Sequence, residues 1–178
     1  MRARERIASN ERAASDALRQ LVTAEADFRL HDRDGNGIND FWVGDVSGLY
    51  TLAPPRSPAT PLRLIPMDLA RADARPLGTS LGSPVPLSGY LFIVLQFHQG
   101  DDPGMQAVYG QDTDGTGRKV RNPSAFGFCA YPVEYGVTGR RTFLVNEGNT
   151  ILTFDMGGSP MIHWPLDESL QSYWEKLD

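Results

Sequence analysis

The chain has 178 residues and a net charge of −5, with 40% apolar and 22% charged residues, enough for one domain with a sizeable core. No basic patch interleaved with aromatics marks a nucleic-acid surface, and no apolar run is long enough to span a bilayer or to form a signal-peptide core. Cys129 is the only cysteine, which excludes an intrachain disulfide, and its strand-like apolar surroundings predict a buried inert thiol.

In chain order, the spacing first predicts a long helix over residues 4–31. Ala14, Leu18, Leu21, Glu25 and Phe28 recur at alternating steps of four and three, and Ala17, Val22 and Ala24 widen the stripe. Arg12 with Asp16, and Glu25 with Arg29, stand where opposite charges meet on a helix surface. The first turns are basic, with Arg2, Arg4, Arg6 and Arg12 against Glu5 and Glu11. A loop rich in Asp, Asn and Gly follows, ending in Phe41-Trp42. Residues 53–61 hold Pro54, Pro55, Pro58 and Pro61 and read as an extended connector, because each proline fixes φ and removes a donor. Pro66 suits the first turn of a short helix over 67–74, stopped by Pro76. Residues 77–88 form a Gly/Ser/Pro loop.

The second half reads as antiparallel sheet. Aromatic and β-branched density makes 90–97 the strongest strand, and 126–131 is another. Between them, 99–122 is a long loop, acidic at first. Residues 141–145 and 150–155 form a hairpin around Asn146-Glu147-Gly148-Asn149. Pro165 opens a C-terminal helix whose apolar face is Leu166, Leu170, Tyr173 or Trp174, and Leu177. The expected fold class is α+β, a single domain over 1–178: a long N-terminal helix (1–31) packed on an antiparallel β-sheet, a loop and connector (32–89), then sheet and a short C-terminal helix (90–178).

The run from Arg2 through Glu25, with Asn10-Glu11, Ala17-Leu18-Arg19 and Ala24 in that order, resembles the second half of the N-terminal helix of type IV pilins and type II secretion pseudopilins. The resemblance extends through the Asp/Asn/Gly loop to Trp42. It implies a pilin-like fold and a structural role, with subunits assembling through the N-terminal helix into a filament of the bacterial cell envelope, periplasmic or extracellular. The leader and apolar half-helix of that family are not in the sequence, so the expectation is its soluble part, touching a membrane only through an upstream segment. The stretch Tyr131-Pro132-Val133-Glu134-Tyr135-Gly136, with Thr142-Phe143-Leu144-Val145-Asn146, also resembles an uncharacterised bacterial domain family of the envelope, which adds no chemistry.

Asp32-Arg33-Asp34-Gly35-Asn36-Gly37-Ile38-Asn39-Asp40 carries the strongest chemical pattern. Asp32, Asp34, Asn36, the Ile38 carbonyl and Asp40 match the oxygen positions of an EF-hand-type calcium loop, with Gly37 at the turn. The twelfth position is Val43, so the bidentate acid is missing unless Asp45 folds back. The same residue types also close helix ends without metal. Asp112-Thr113-Asp114-Gly115-Thr116-Gly117 echoes the motif with two carboxylates, near Asp101 and Asp102. By resemblance to the calcium-holding loop in the C-terminal half of major pseudopilins it is a second candidate; a plain turn is the other reading.

Gly78-Thr79-Ser80-Leu81-Gly82 spells a nucleophile elbow, yet Pro76 before it and Pro84 and Pro86 after it exclude the strand–turn–helix such a site needs. His31, His98 and His163 stand at no catalytic or metal spacing. Residues 110–117 lack the Lys-Ser/Thr of a phosphate loop. The expectation is therefore a non-enzyme. A monomeric envelope or extracellular binding module, whose loop 99–122 holds a ligand or calcium, is the alternative to the filament subunit.

Overall fold

The structure is a computed structural model describing residues 2–102 and 104–177. α1 (Ala3–Leu30) is an unbroken helix of 28 residues, as the periodicity predicts. Ala14, Ala17, Leu18, Leu21, Ala24 and Phe28 are buried along one face, while Arg12, Asp16, Arg19, Gln20, Thr23 and Ala26 face outward. Burial begins only at Ala14, and Arg2 through Arg6 are exposed.

After α1 come β1 (Phe41–Trp42), α2 (Gly48–Thr51) and α3 (Met67–Arg71). The strands are β2 (Tyr90–Val94), β3 (Phe97–Gln99), β4 (Gln106–Val108), β5 (Arg121–Asn122), β6 (Gly127–Pro132), β7 (Thr142–Asn146) and β8 (Ile151–Phe154). α4 (Asp167–Ser172) and β9 (Glu175–Leu177) close the chain. The main sheet is an antiparallel meander in the order β2-β6-β7-β8-β9. α1 lies across β6 and β7 and abuts β1. The core between helix and sheet contains Phe28, Trp42, Phe92, Phe128, Phe143 and Leu144, all essentially fully buried. Such side chains each contribute about 1.5–3 kcal/mol on burial, which is what holds the helix on the sheet.

Four expectations need correcting. The strand over 90–97 is two strands: Leu95 still donates to the Gly127 carbonyl, but Gln96 and Phe97 donate to Ile162, so the chain turns out of the main sheet. The helix over 67–74 ends at Arg71, because Ala72 and Ala74 exchange hydrogen bonds with Phe92 and lay that segment along β2. The C-terminal helix is shorter and buries no side chain; Leu166 and Tyr173 are exposed, and Leu177 pairs with Ile151 as part of β9. The long loop 99–122, of which Pro103 lies outside the described residues, contains β4 and leads into β5. β4 pairs with β3, and β5 pairs with β1. The hairpin turn at 146–149 forms with Asn149 at φ 56°, a left-handed position that asparagine tolerates.

Candidate functional site

The foot of α1 is where polar residues concentrate inside the molecule. The helix ends at His31, and Asp32 takes φ 44°; Gly35 and Gly37 take φ 67° and 83°, where a Cβ is costly. This curls 32–40 into a tight loop that brings its side chains together. Asp32 Oδ2 accepts from Gly37 N at 2.9 Å, and Asn36 Oδ1 accepts from Ile38 N at 2.8 Å. Asp112 Oδ2 accepts from Gly117 N at 2.9 Å, repeating the first turn in the second loop.

The two loops face each other. Thr113 Oγ1 donates to Asp40 Oδ2 at 2.5 Å. Arg121 Nε donates to Asp34 Oδ2 at 2.6 Å, and its Nη1 lies 2.8 Å from Asp114 Oδ2. The guanidinium also stands over the Trp42 ring at 5.9 Å. Arg121, Asp34 and Asp40 are all buried. Burial, and then the neighbouring carboxylates against the pull of Arg121, hold the Asp34 carboxyl above its ordinary range. Burial likewise raises Asp40, against the Thr113 hydroxyl and Arg121. Asp114 is held low by the Thr116 hydroxyl, with Arg121 adding to it.

Beneath this cluster, Glu25 is fully buried on α1 and its Oε2 accepts the Trp42 amide at 3.0 Å. Desolvation raises its carboxyl well above the usual range, against the Trp42 amide that it accepts.

All five residues of the motif, Asp32, Asp34, Asn36, Ile38 and Asp40, therefore lie in one loop at the helix foot. Asp45 does not fold back to it. Both its oxygens are used elsewhere: Oδ1 accepts from Trp42 Nε1 and Gly48 N, and Oδ2 from Ser47 Oγ and Leu77 N. Val43 is buried and donates its amide to Val120. Sequence reasoning missed Arg121, and it placed Glu25 in the buried stripe without its partner Trp42. Nothing local marks Arg121, and the i,i+4 pair assigned to Glu25 and Arg29 does not form. Arg29 instead donates to the Pro123 carbonyl and covers the Phe41 ring. Asp101 and Asp102 are exposed and take no part in the ion pairs.

A second feature lies at the other end of α1. Asn10 Nδ2 donates to the Thr138 carbonyl at 2.8 Å, and Glu11 Oε1 accepts the amides of Arg140 and Arg141 at 3.1 and 3.2 Å. Among the described residues these are the first side-chain hydrogen bonds from α1 to the rest of the fold, and they reach the loop between β6 and β7. Beside them an open groove of about 440 Å³, lined by Ile7, Glu11, Arg141, Phe154 and Tyr173 among others, separates the start of α1 from the β8–β9 edge.

The remaining candidates are placed elsewhere. Ser80 is exposed in a surface turn. His31 contacts Asp27, His98 stacks near Tyr109 and His163 meets Gln106. Cys129 is fully buried, and desolvation pushes its thiol up to about 12. No helix among the described residues is long and apolar enough to cross a membrane.

Residues 1–163 match the family model described as "Protein of unknown function (DUF2950)", and the chain belongs to that family. No curated protein and no solved structure matches the chain.

Proposed function

We propose that this member of the family is a pilin-like or pseudopilin-like structural subunit, assembling through α1 into a filament of the bacterial envelope. The observation that carries the reading is the division of α1. From Ala14 onward one face is buried by the sheet, but the first turns are exposed and the outer face, with Arg12, Asp16, Arg19, Gln20 and Thr23, is mostly polar and uncovered among the described residues. A helical stretch as short as the one before Ala14 is marginal where nothing packs on it. The free turns carry Arg2, Arg4 and Arg6 at the helix N-terminus, where the macrodipole disfavours cations. A neighbouring helix or an anionic surface at that end would relieve both costs.

The ties at Asn10 and Glu11 set the limit between the held and free parts, and they belong to the stretch that resembles pilin helices. The meander sheet packed across the held part agrees with the pilin plan. In this reading the free turns and the adjoining groove at Ile7 receive the neighbouring subunit.

The test is cross-linking of the full gene product in its host. Single cysteines at Arg4 and Gln20, treated with a bismaleimide, should give covalent dimers in the envelope fraction. A cysteine at Ser80 should give none. Monomers from every helix position would exclude the filament and leave a monomeric binding module.

A further inference from the structure

The polar cluster at the foot of α1 has more buried acceptors than donors. Asp34 is 7% exposed and Asp40 is 1% exposed. Each uses one carboxylate oxygen, toward Arg121 and Thr113, and leaves Oδ1 buried with no hydrogen-bond partner among the described residues. Asp32 Oδ1 is buried and unpartnered in the same way. The Asn36 amide nitrogen is also buried without a partner, within the same loop. Unsatisfied buried groups are rare in native proteins and call for an unseen ion or water. Charge points the same way: Asp34 and Asp114 share the Arg121 guanidinium, and Asp32 and Asp40 add further negative charge beside them.

We propose that a divalent cation of calcium's chemistry binds in this loop through Asp32 Oδ1, Asp34 Oδ1, Asp40 Oδ1, the Asn36 side-chain oxygen and the Ile38 carbonyl. The ligands are all oxygens, with no His or Cys in the loop, which selects a hard cation. Among the described residues no three acidic, His or Cys side chains stand as a ready-made cage. The ion closes the cage by rotating the aspartate side chains on a backbone already shaped by Gly35 and Gly37. Val43 supplies no side-chain oxygen at the twelfth position, so water completes the shell and the affinity is that of extracellular modules, about 10⁻⁴ to 10⁻³ M.

The second loop extends the consequence beyond the helix end. Thr113 holds Asp40, and Arg121 bridges Asp34 to Asp114, so an ion that fixes Asp34 and Asp40 also fixes residues 112–117. The cation thus fastens the long loop to the foot of α1.

Two readouts on the purified chain test this. Terbium(III), a luminescent stand-in for calcium, should emit when tryptophan is excited, because Trp42 lies beneath the cluster at Arg121. Calcium should displace that emission. Calcium at ten times its Kd should raise the melting temperature by about 3–6 °C over chelator. Asp32→Asn and Asp34→Asn should lose both effects. Asp32→Asn keeps a side-chain amide oxygen to accept from Gly37 N, so this variant remains folded, which circular dichroism verifies. Asp112→Asn, on the exposed second loop, should keep both. The proposal is overturned by a parent with no emission and no shift at 10 mM calcium, a concentration about tenfold above the weakest Kd expected. It is equally overturned by an Asp32→Asn variant that retains the full shift, or by loss of binding in Asp112→Asn.

Discussion

Glu25, Asp45 and Asp73 are the residues on which the lower half of the molecule is organised, and each acts as an acceptor in a buried place. Asp73 Oδ2 takes the amides of Val46 and Ser47, and its Oδ1 takes that of Arg75. Burial nevertheless pushes its carboxyl up from 3.8 to about 6. A carboxyl raised on folding binds its proton more tightly in the folded chain, so its stability contribution is greatest in acid and declines between about pH 4 and pH 6. The full change is about 3 kcal/mol at one unit per ~1.4 kcal/mol. Melting curves from pH 4 to 7 should show that decline in the parent and a flatter profile in Asp73→Asn.

Glu25→Gln keeps an acceptor for the Trp42 amide and removes a titratable group, so it should change stability at pH 7 by less than about 1 kcal/mol. Glu25→Ala should cost about 2–4 kcal/mol by denaturant unfolding, through a cavity and an orphaned amide. Gly48 lies so close to Trp42 that a Cβ would come within clashing distance of its indole nitrogen and 2.6 Å from Asp45 Oδ1. Gly48→Ala should therefore cost about 1–3 kcal/mol in the same measurement. None of these roles is legible in the sequence, because each depends on which backbone amide a distant segment presents.

Among the elements, legibility follows how local the determinants are. α1 can be read to within a residue or so, because its stripe repeats turn after turn and needs no partner to be recognised. The hairpin β7–β8 is legible for the same reason, its turn residues lying between two apolar runs. β4, β5 and β9 are not. Each has three residues or fewer, and only the facing strand makes it one. The spacing overextends α4 because Trp174 and Leu177 continue a helical pattern, while tertiary pairing with β8 draws residues 175–177 into β9. The candidate loop is half legible: its own five residues show in the motif, but Thr113, Asp114 and Arg121 come from a distant part of the chain, Thr113 standing 73 positions after Asp40.

The helix face offers a direct check on this division. Leu21→Ala should cost about 2–5 kcal/mol by denaturant unfolding. Gln20→Ala, one residue along and facing outward, should stay within about 0.5 kcal/mol. Equal costs at both positions would mean that α1 does not lie on the sheet as described.

At the scale of the whole molecule, α1 joins two ends with different tasks. Its foot is locked into the core by Glu25, Trp42 and the paired loops. Among the described residues its start is tethered by the hydrogen bonds of Asn10 and Glu11, and it lies beside an open groove. The sheet covers α1 only from Ala14 onward, and in the proposed reading a neighbouring subunit covers the turns before it. Thiol protection at α1 in living cells tests this most directly. Single cysteines at Arg4, Gln20 and Ser80 are labelled with a maleimide polyethylene glycol, in the purified chain and in the host. All three should react in the purified chain. In the host, Arg4→Cys and Gln20→Cys should be protected while Ser80→Cys still reacts. Equal labelling of all three positions in the host would contradict assembly through the helix.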